Sequence, residues 1–169
     1  MVMSNLKTLA NPFTFKGHDV RVAVTEQGGV LFHAEDIAKV LGMDKVMFED
    51  AVRLIPGDWR MVLPGSDFIF ITEPAVFKLI FHYQSEQAVS LAEWIVQDVL
   101  TTLRKHDFFG ELNPALRLEY SKTITDLTMQ LLSNRSEHIR DVLVAELRDC
   151  CNLVGRQLPA AVNTSSMHF

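Results

Sequence analysis

At 169 residues with 48% hydrophobic side chains, the chain can bury a sizeable core, and wholesale disorder is excluded. No apolar run approaches the roughly 20 residues that cross a bilayer, so no membrane partner is expected. The net charge of −5 sits in the first part: residues 1–112 hold ten Lys and Arg against fifteen Asp and Glu, and residues 113–169 hold six of each.

Affinity for nucleic acid rests largely on neutralised phosphates, so this balance disfavours a general DNA binder. The start, MVMSNLKTLANPF, lacks the charged-then-apolar pattern of a secretory leader. The only cysteines, Cys150 and Cys151, are adjacent, which suits a reducing compartment rather than a disulfide framework. A cytoplasmic protein is expected.

The first alternating pattern runs from Phe13 to Phe32. Phe13 and Phe15, then Val20, Val22 and Val24, then Val30 and Phe32 recur at every second position, with turns at Gly17-His18 and Gln27-Gly28-Gly29. This predicts a small antiparallel sheet leading directly into helices.

Residues 34–55, AEDIAKVLGMDKVMFEDAVRLI, have the spacing of a helix–turn–helix. Ile37, Ala38, Leu41 and Met43 point inward, and Gly42 occupies the left-handed reversal. Phe48, Ala51, Val52 and Ile55 mark a second amphipathic helix. An ordinary helical hairpin satisfies the same spacing. The segment carries Glu35, Asp36, Asp44, Glu49 and Asp50 against Lys39, Lys45 and Arg53, a net charge of −2. Such a surface suits a basic protein better than phosphate.

Pro56-Gly57-Asp58 ends that helix, and WRMVLP and FIFIT predict another strand pair. Thr72 is a plausible N-cap for the helix EPAVFKLIFHYQ, which aligns Val76, Leu79, Ile80 and Tyr83. Ser85 caps a longer helix with the stripe Ala88, Leu91, Ala92, Ile95, Val99 and Leu103, closed by Gly110.

Asn113-Pro114 opens a different region. Leu116, Tyr120, Ile124, Leu127 and Leu131 repeat at helical spacing, as do Ile139, Leu143, Leu147, Cys150 and Val154, and Asn134 with Glu137 fits a capping box. The two helices predict an antiparallel hairpin over 113–155, followed by a mobile tail over 156–169. Leu118, Met129, Leu132, Val142 and Leu153 lie off those seams and are assigned to homo-oligomer formation, with packing on the first domain as the other option.

Catalytic spacings are missing. His33-Ala34-Glu35 is not followed by Cys-x-x-Cys, the six histidines form no i, i+4 pair on a helix, and no Gly-x-Ser-x-Gly or phosphate loop occurs. His33 is expected to end a strand, and His82 and His106 to lie on helix surfaces. Trp59 and Trp94 are read as core anchors. Neither an enzyme, a cofactor nor a metal site is expected.

The order of motifs is more specific than any one of them. It comprises Phe13-Thr14-Phe15-Lys16-Gly17 with Val20-Arg21-Val22, then Asp36-Ile37-Ala38 with Leu41-Gly42, and later Ile71-Thr72-Glu73 with Leu79-Ile80. Ala92-Glu93-Trp94-Ile95 and Val99-Leu100 follow. Over residues 11–112 the chain resembles the BRO N-terminal domain of bacteriophage antirepressors and baculovirus regulatory proteins.

The resemblance implies regulation in place of catalysis. It implies an α+β domain in a bacterial cytoplasm, if the chain is phage encoded, with a repressor or other regulatory protein as partner. Asp44, Lys45, Glu49, Asp50 and Arg53 are the expected partner-binding residues. The alternative is sequence-specific DNA binding through Lys39, Lys45, Arg53 and Arg60 on phosphates.

Overall fold

The computed structural model describes residues 6–105 and 114–163. The chain divides into two compact units, with the break after Lys105. The fold is α+β.

In the first unit, β1 (Leu6–Thr8), β4 (Val22–Thr25), β5 (Val30–His33), β7 (Ile69–Thr72) and β6 (Arg60–Val62) form a five-stranded antiparallel sheet in that order. β2 (Phe13–Phe15) and β3 (His18–Val20) pair separately. Their turn is Lys16-Gly17, with φ of 45° and 82°, one residue earlier than the sequence pattern indicates. Phe13, Phe15 and Val20 share the buried face of this hairpin, and both phenylalanines pack on Trp94 at centroid distances of 6.4 and 5.2 Å.

In β4 the alternation divides the residues. Val22 joins Phe32 and Ile71 in the main core, while Ala23 joins Leu31 and Phe70 in a small cluster on the other face. β1 was not legible in the period-two runs. It is a three-residue edge strand with no buried side chain.

Helix α1 (Ala34–Val40) buries Ile37, Ala38 and Val40. It ends where Gly42, at φ 70°, lets Gly42 N donate to Lys39 O at 3.1 Å and Met43 N to Ala38 O at 2.9 Å. Two residues on, the Asp44 carboxylate accepts from Met47 N at 2.9 Å and starts α2 (Lys45–Leu54). The connection is therefore terminated and restarted by hydrogen bonds at adjoining residues.

α3 (Glu73–Tyr83) begins after Thr72 and buries Ala75, Val76, Leu79 and Ile80. Thr72 holds the N-cap position, but its hydroxyl makes no capping bond. As the last residue of β7, in register with Leu31, its side chain is committed to the sheet face. The Ser85 hydroxyl does cap α4 (Glu86–Trp94), accepting from Ala88 N at 3.0 Å.

A π-helical turn, Ile95–Val99, joins α4 to α5 (Leu100–Lys105). Its extra residue lets both Val99 and Leu100 reach the core, a position the regular helical stripe does not anticipate. Gly110 and His106 fall outside the described residues.

The second unit is a helical hairpin of α6 (Pro114–Ser133) and α7 (Glu137–Val154). Ile124, Leu127, Leu131, Leu143, Leu147, Cys151 and Val154 make its core. Cys151, not Cys150, is the fully buried cysteine, and burial pushes both thiols up, away from the reactive thiolate. Ser136 takes the N-cap position of α7, while Asn134 Oδ1 accepts from Ser136 N at 3.0 Å and shapes the turn. The expected Asn134–Glu137 capping box is absent because Asn134 is used two residues early. Arg140 Nη1 donates to Leu131 O at 2.8 Å and Asn134 O at 3.2 Å, closing the open carbonyl end of α6.

Gly155 at φ 70° reverses the chain after α7, with Arg156 N donating to Cys151 O at 2.8 Å. The following segment is not the mobile tail of the sequence reading over its described part. Leu158 and Val162, the latter in α8 (Ala160–Asn163), pack against the hairpin core. Leu153 is also corrected: it is buried in the last turn of α7, where Cys151 to Val154 are all covered.

Gly42 offers a test of the helix pair. A Cβ at this position would meet open space, so only backbone strain opposes substitution. Gly42→Ala should cost about 1 kcal/mol of unfolding free energy in urea titration, and Gly42→Asn distinctly less.

Candidate functional site

The candidate surface is the outer face of α2, and it rests on a hydrogen-bonded cluster beneath α1. Arg21 lies between β3 and β4, flanked by the buried Val20 and Val22. Its Nε and Nη2 donate to Asp36 Oδ2 and Oδ1, both at 2.8 Å, and its backbone N–H donates to Oδ2 at 3.0 Å. His33 Nδ1 lies 3.0 Å from Arg21 Nη2 and 3.3 Å from Asp36 Oδ1. The Phe68 ring covers the group, 4.9 Å from the Arg21 guanidinium and edge-on to His33.

Burial alone would push the Asp36 carboxyl up. Hydrogen bonds from the Arg21 side chain, His33 and the Arg21 backbone outweigh it, and the carboxyl is held well below the ordinary carboxylate range. A groove of about 550 Å³ adjoins the cluster, with Leu9, His18, Arg21, Asp36 and Lys39 among its lining.

α2 is held at its carbonyl end by cations. Lys78 Nζ donates to Leu54 O at 2.9 Å while lying over the Trp59 ring, and Arg60 Nη1 reaches Val52 O at 3.4 Å. Ala51 and Ile55 are buried, with Phe48 packed against the same core. On the outer face Glu49, Asp50 and Arg53 are exposed, and Arg53 Nη1 pairs with Asp50 Oδ1 at 3.3 Å.

The sequence-predicted residues therefore separate. Glu49, Asp50 and Arg53 share the exposed face of α2, with Lys45 at its first turn. Asp44 is engaged as the N-cap, so its charge is directed at backbone N–H groups. Of the DNA-binding set, Arg53 is paired with an acid, Arg60 is bound to a carbonyl of α2, and Lys39 lies on the groove beside Asp36. The side chains of Lys39 and Lys45 have no hydrogen-bond or ion-pair partner among the described residues.

Sequence reasoning missed two features. One is apolar: Val46 is 68% exposed and Leu54 47%, and they sit one turn either side of Asp50. The other is the Arg21–His33–Asp36 cluster. Its signal was an arginine between two buried valines, followed fifteen residues later by an aspartate in the first turn of a helix. Among the described residues, no group of three His, Cys, Asp or Glu side chains is placed to hold a metal ion.

The cluster predicts a pH dependence. A carboxyl depressed in the folded state contributes stability that is present in full above the ordinary carboxylate pKa of about 4. That stability is lost as the pH falls through the folded-state value. The urea midpoint of the wild type should fall on acidification below that pH more than the midpoint of Asp36→Asn does. Arg21→Ala should cost about 3 kcal/mol at neutral pH, because it strips a buried carboxylate of its main partner.

Residues 19–101, about half of the chain, match the BRO family, N-terminal domain. No curated protein and no solved structure matches the chain. The family is associated with phage antirepressors and regulatory proteins and is not known for enzymes. Arg21, His33, Asp36 and the whole of α2 lie within the matched span, so the cluster and the exposed helix belong to the shared domain. Residues 19–101 thus form a BRO-family N-terminal domain.

Proposed function

We propose that the chain is an antirepressor-type regulator that binds a repressor protein through the outer face of α2. The observation that carries this reading is the disposition of charge around that helix. Arg53, Arg60 and Lys78 each make a contact within the domain, while Glu49, Lys45 and the apolar Val46 and Leu54 stand free on the surface.

Such a face is poor at neutralising phosphate. It is well matched to a basic protein surface, where the acids speed encounter and the apolar side chains supply burial once docked. The DNA-contacting side of a repressor has that character. In this reading residues 11–112 form the binding domain, residues 113–155 form a separate associating unit, and the protein works in the cytoplasm of a bacterial host.

The test uses a repressor encoded in the parent genome and fragments of that genome. Glu49→Lys with Asp50→Lys should leave the urea midpoint nearly unchanged, since exposed charge changes move stability by about 0.5 kcal/mol or less. The same pair should abolish co-purification with the repressor. Retardation of a promoter fragment by the wild type, weakening steeply with salt and lost in Lys39→Ala with Lys45→Ala, would replace this reading with direct DNA binding.

A further inference from the structure

α6 carries two apolar faces, and its hairpin covers only one. Ile124, Leu127 and Leu131 pack in the hairpin core. At about 100° per residue, Leu118, Thr125, Met129 and Leu132 fall within an arc of about 60°, centred about 140° around the helix from those core residues. Leu118, Met129 and Leu132 are 59%, 64% and 60% exposed. With Lys122 they form the series 118, 122, 125, 129, 132, whose alternating steps of four and three are those of a coiled-coil seam. Val142 lies on α7 and is not part of this stripe.

The geometry points to a second copy of this chain as the occupant, its α6 pairing antiparallel to the first about a two-fold axis at Thr125. In that register Leu118 meets Leu132 of the second copy at both ends, and the two Thr125 side chains meet in the middle. Lys122 lies about 3 Å along the axis from Asp126 of the second copy, on the same flank of the seam. Neither the Lys122 nor the Asp126 side chain has a hydrogen-bond or ion-pair partner among the described residues, and both residues are exposed. The symmetry thus supplies two identical ion pairs.

A parallel pairing would instead set Lys122 against Lys122 inside the seam, which repels. Equal numbers of acids and bases in residues 113–169 leave this part of the chain without a net charge to oppose pairing. The seam is about 21 Å long, at the small end for a specific interface, so the dimer is reversible and depends on concentration. This inference rests on α6 alone and is independent of the role proposed for α2.

Sedimentation velocity of the full chain should show a monomer at low concentration and a dimer at high concentration. Leu118→Glu with Leu132→Glu alters only exposed side chains and should keep the wild-type circular dichroism. It should raise the dimer dissociation constant by at least about tenfold. With a short bis-maleimide, Thr125→Cys should cross-link to itself well above the wild-type background, and Leu118→Cys should not. A full chain that is monomeric throughout, or a dimer indifferent to the glutamate pair, overturns the proposal. Faster self-linking by Leu118→Cys than by Thr125→Cys overturns the antiparallel register.

Discussion

One carboxylate, that of Asp36, organises the first unit. It receives two side-chain N–H groups and one backbone N–H from Arg21, and so ties the junction of β3 and β4 to the first turn of α1. Buried ion pairs are weak sources of net stability, because desolvation offsets their attraction. Their value here is positional. Three hydrogen bonds of fixed geometry set the direction in which α1 leaves the sheet. The reversal at Gly42 and the cap at Asp44 then carry that direction into α2. His33 Nε2 is left buried without a partner among the described residues, a cost of about 1–3 kcal/mol that the cluster must offset.

The outer face of α2, with two acids and two bases, is shaped by how the surrounding cations are used. Lys78 and Arg60 sit at the carbonyl end of α2, where a positive charge favours the helix, and each donates to one of its last carbonyls. Arg53 is screened by Asp50 one turn away. Acids on the outer face therefore meet little internal opposition. The exposed Val46 and Leu54 give the helix an apolar component that phosphate cannot use and a protein surface can. Shape and chemistry are separable on such a helix: the core side fixes its position, and the outer side can change without moving it.

Much of the fold was legible because it is written in period. The runs at Phe13–Phe15, Val22–Thr25 and Val30–His33 alternate, and α3, α4, α6 and α7 repeat at three and four. What escaped has a physical reason in each case. Leu6–Thr8 is too short to show a period and borrows its conformation from β4. The π-turn inserts a residue that no regular spacing includes, so Leu100 was passed over. Asn134 and Ser136 both suit an N-cap, and the choice between them depends on where Arg140 anchors the end of α6.

The candidate site was less legible, because burial and pairing are decided between elements. The period placed Glu49, Asp50 and Arg53 outward, yet it could not reveal that Arg60 would reach Val52 O. Arg21 looked like the polar side of an alternating strand. Only when α1 is folded beside it does Asp36 make that position structural. Leu132 and Leu153 show the same limit from the apolar side. Each lies off its helix's seam, but Leu153 is in a turn covered on all sides while Leu132 faces solvent. A side chain's direction is fixed by its own helix, and its environment by what the rest of the chain brings there. An apolar residue still uncovered after folding is thus a stronger indication of an interface than any apolar residue in the sequence.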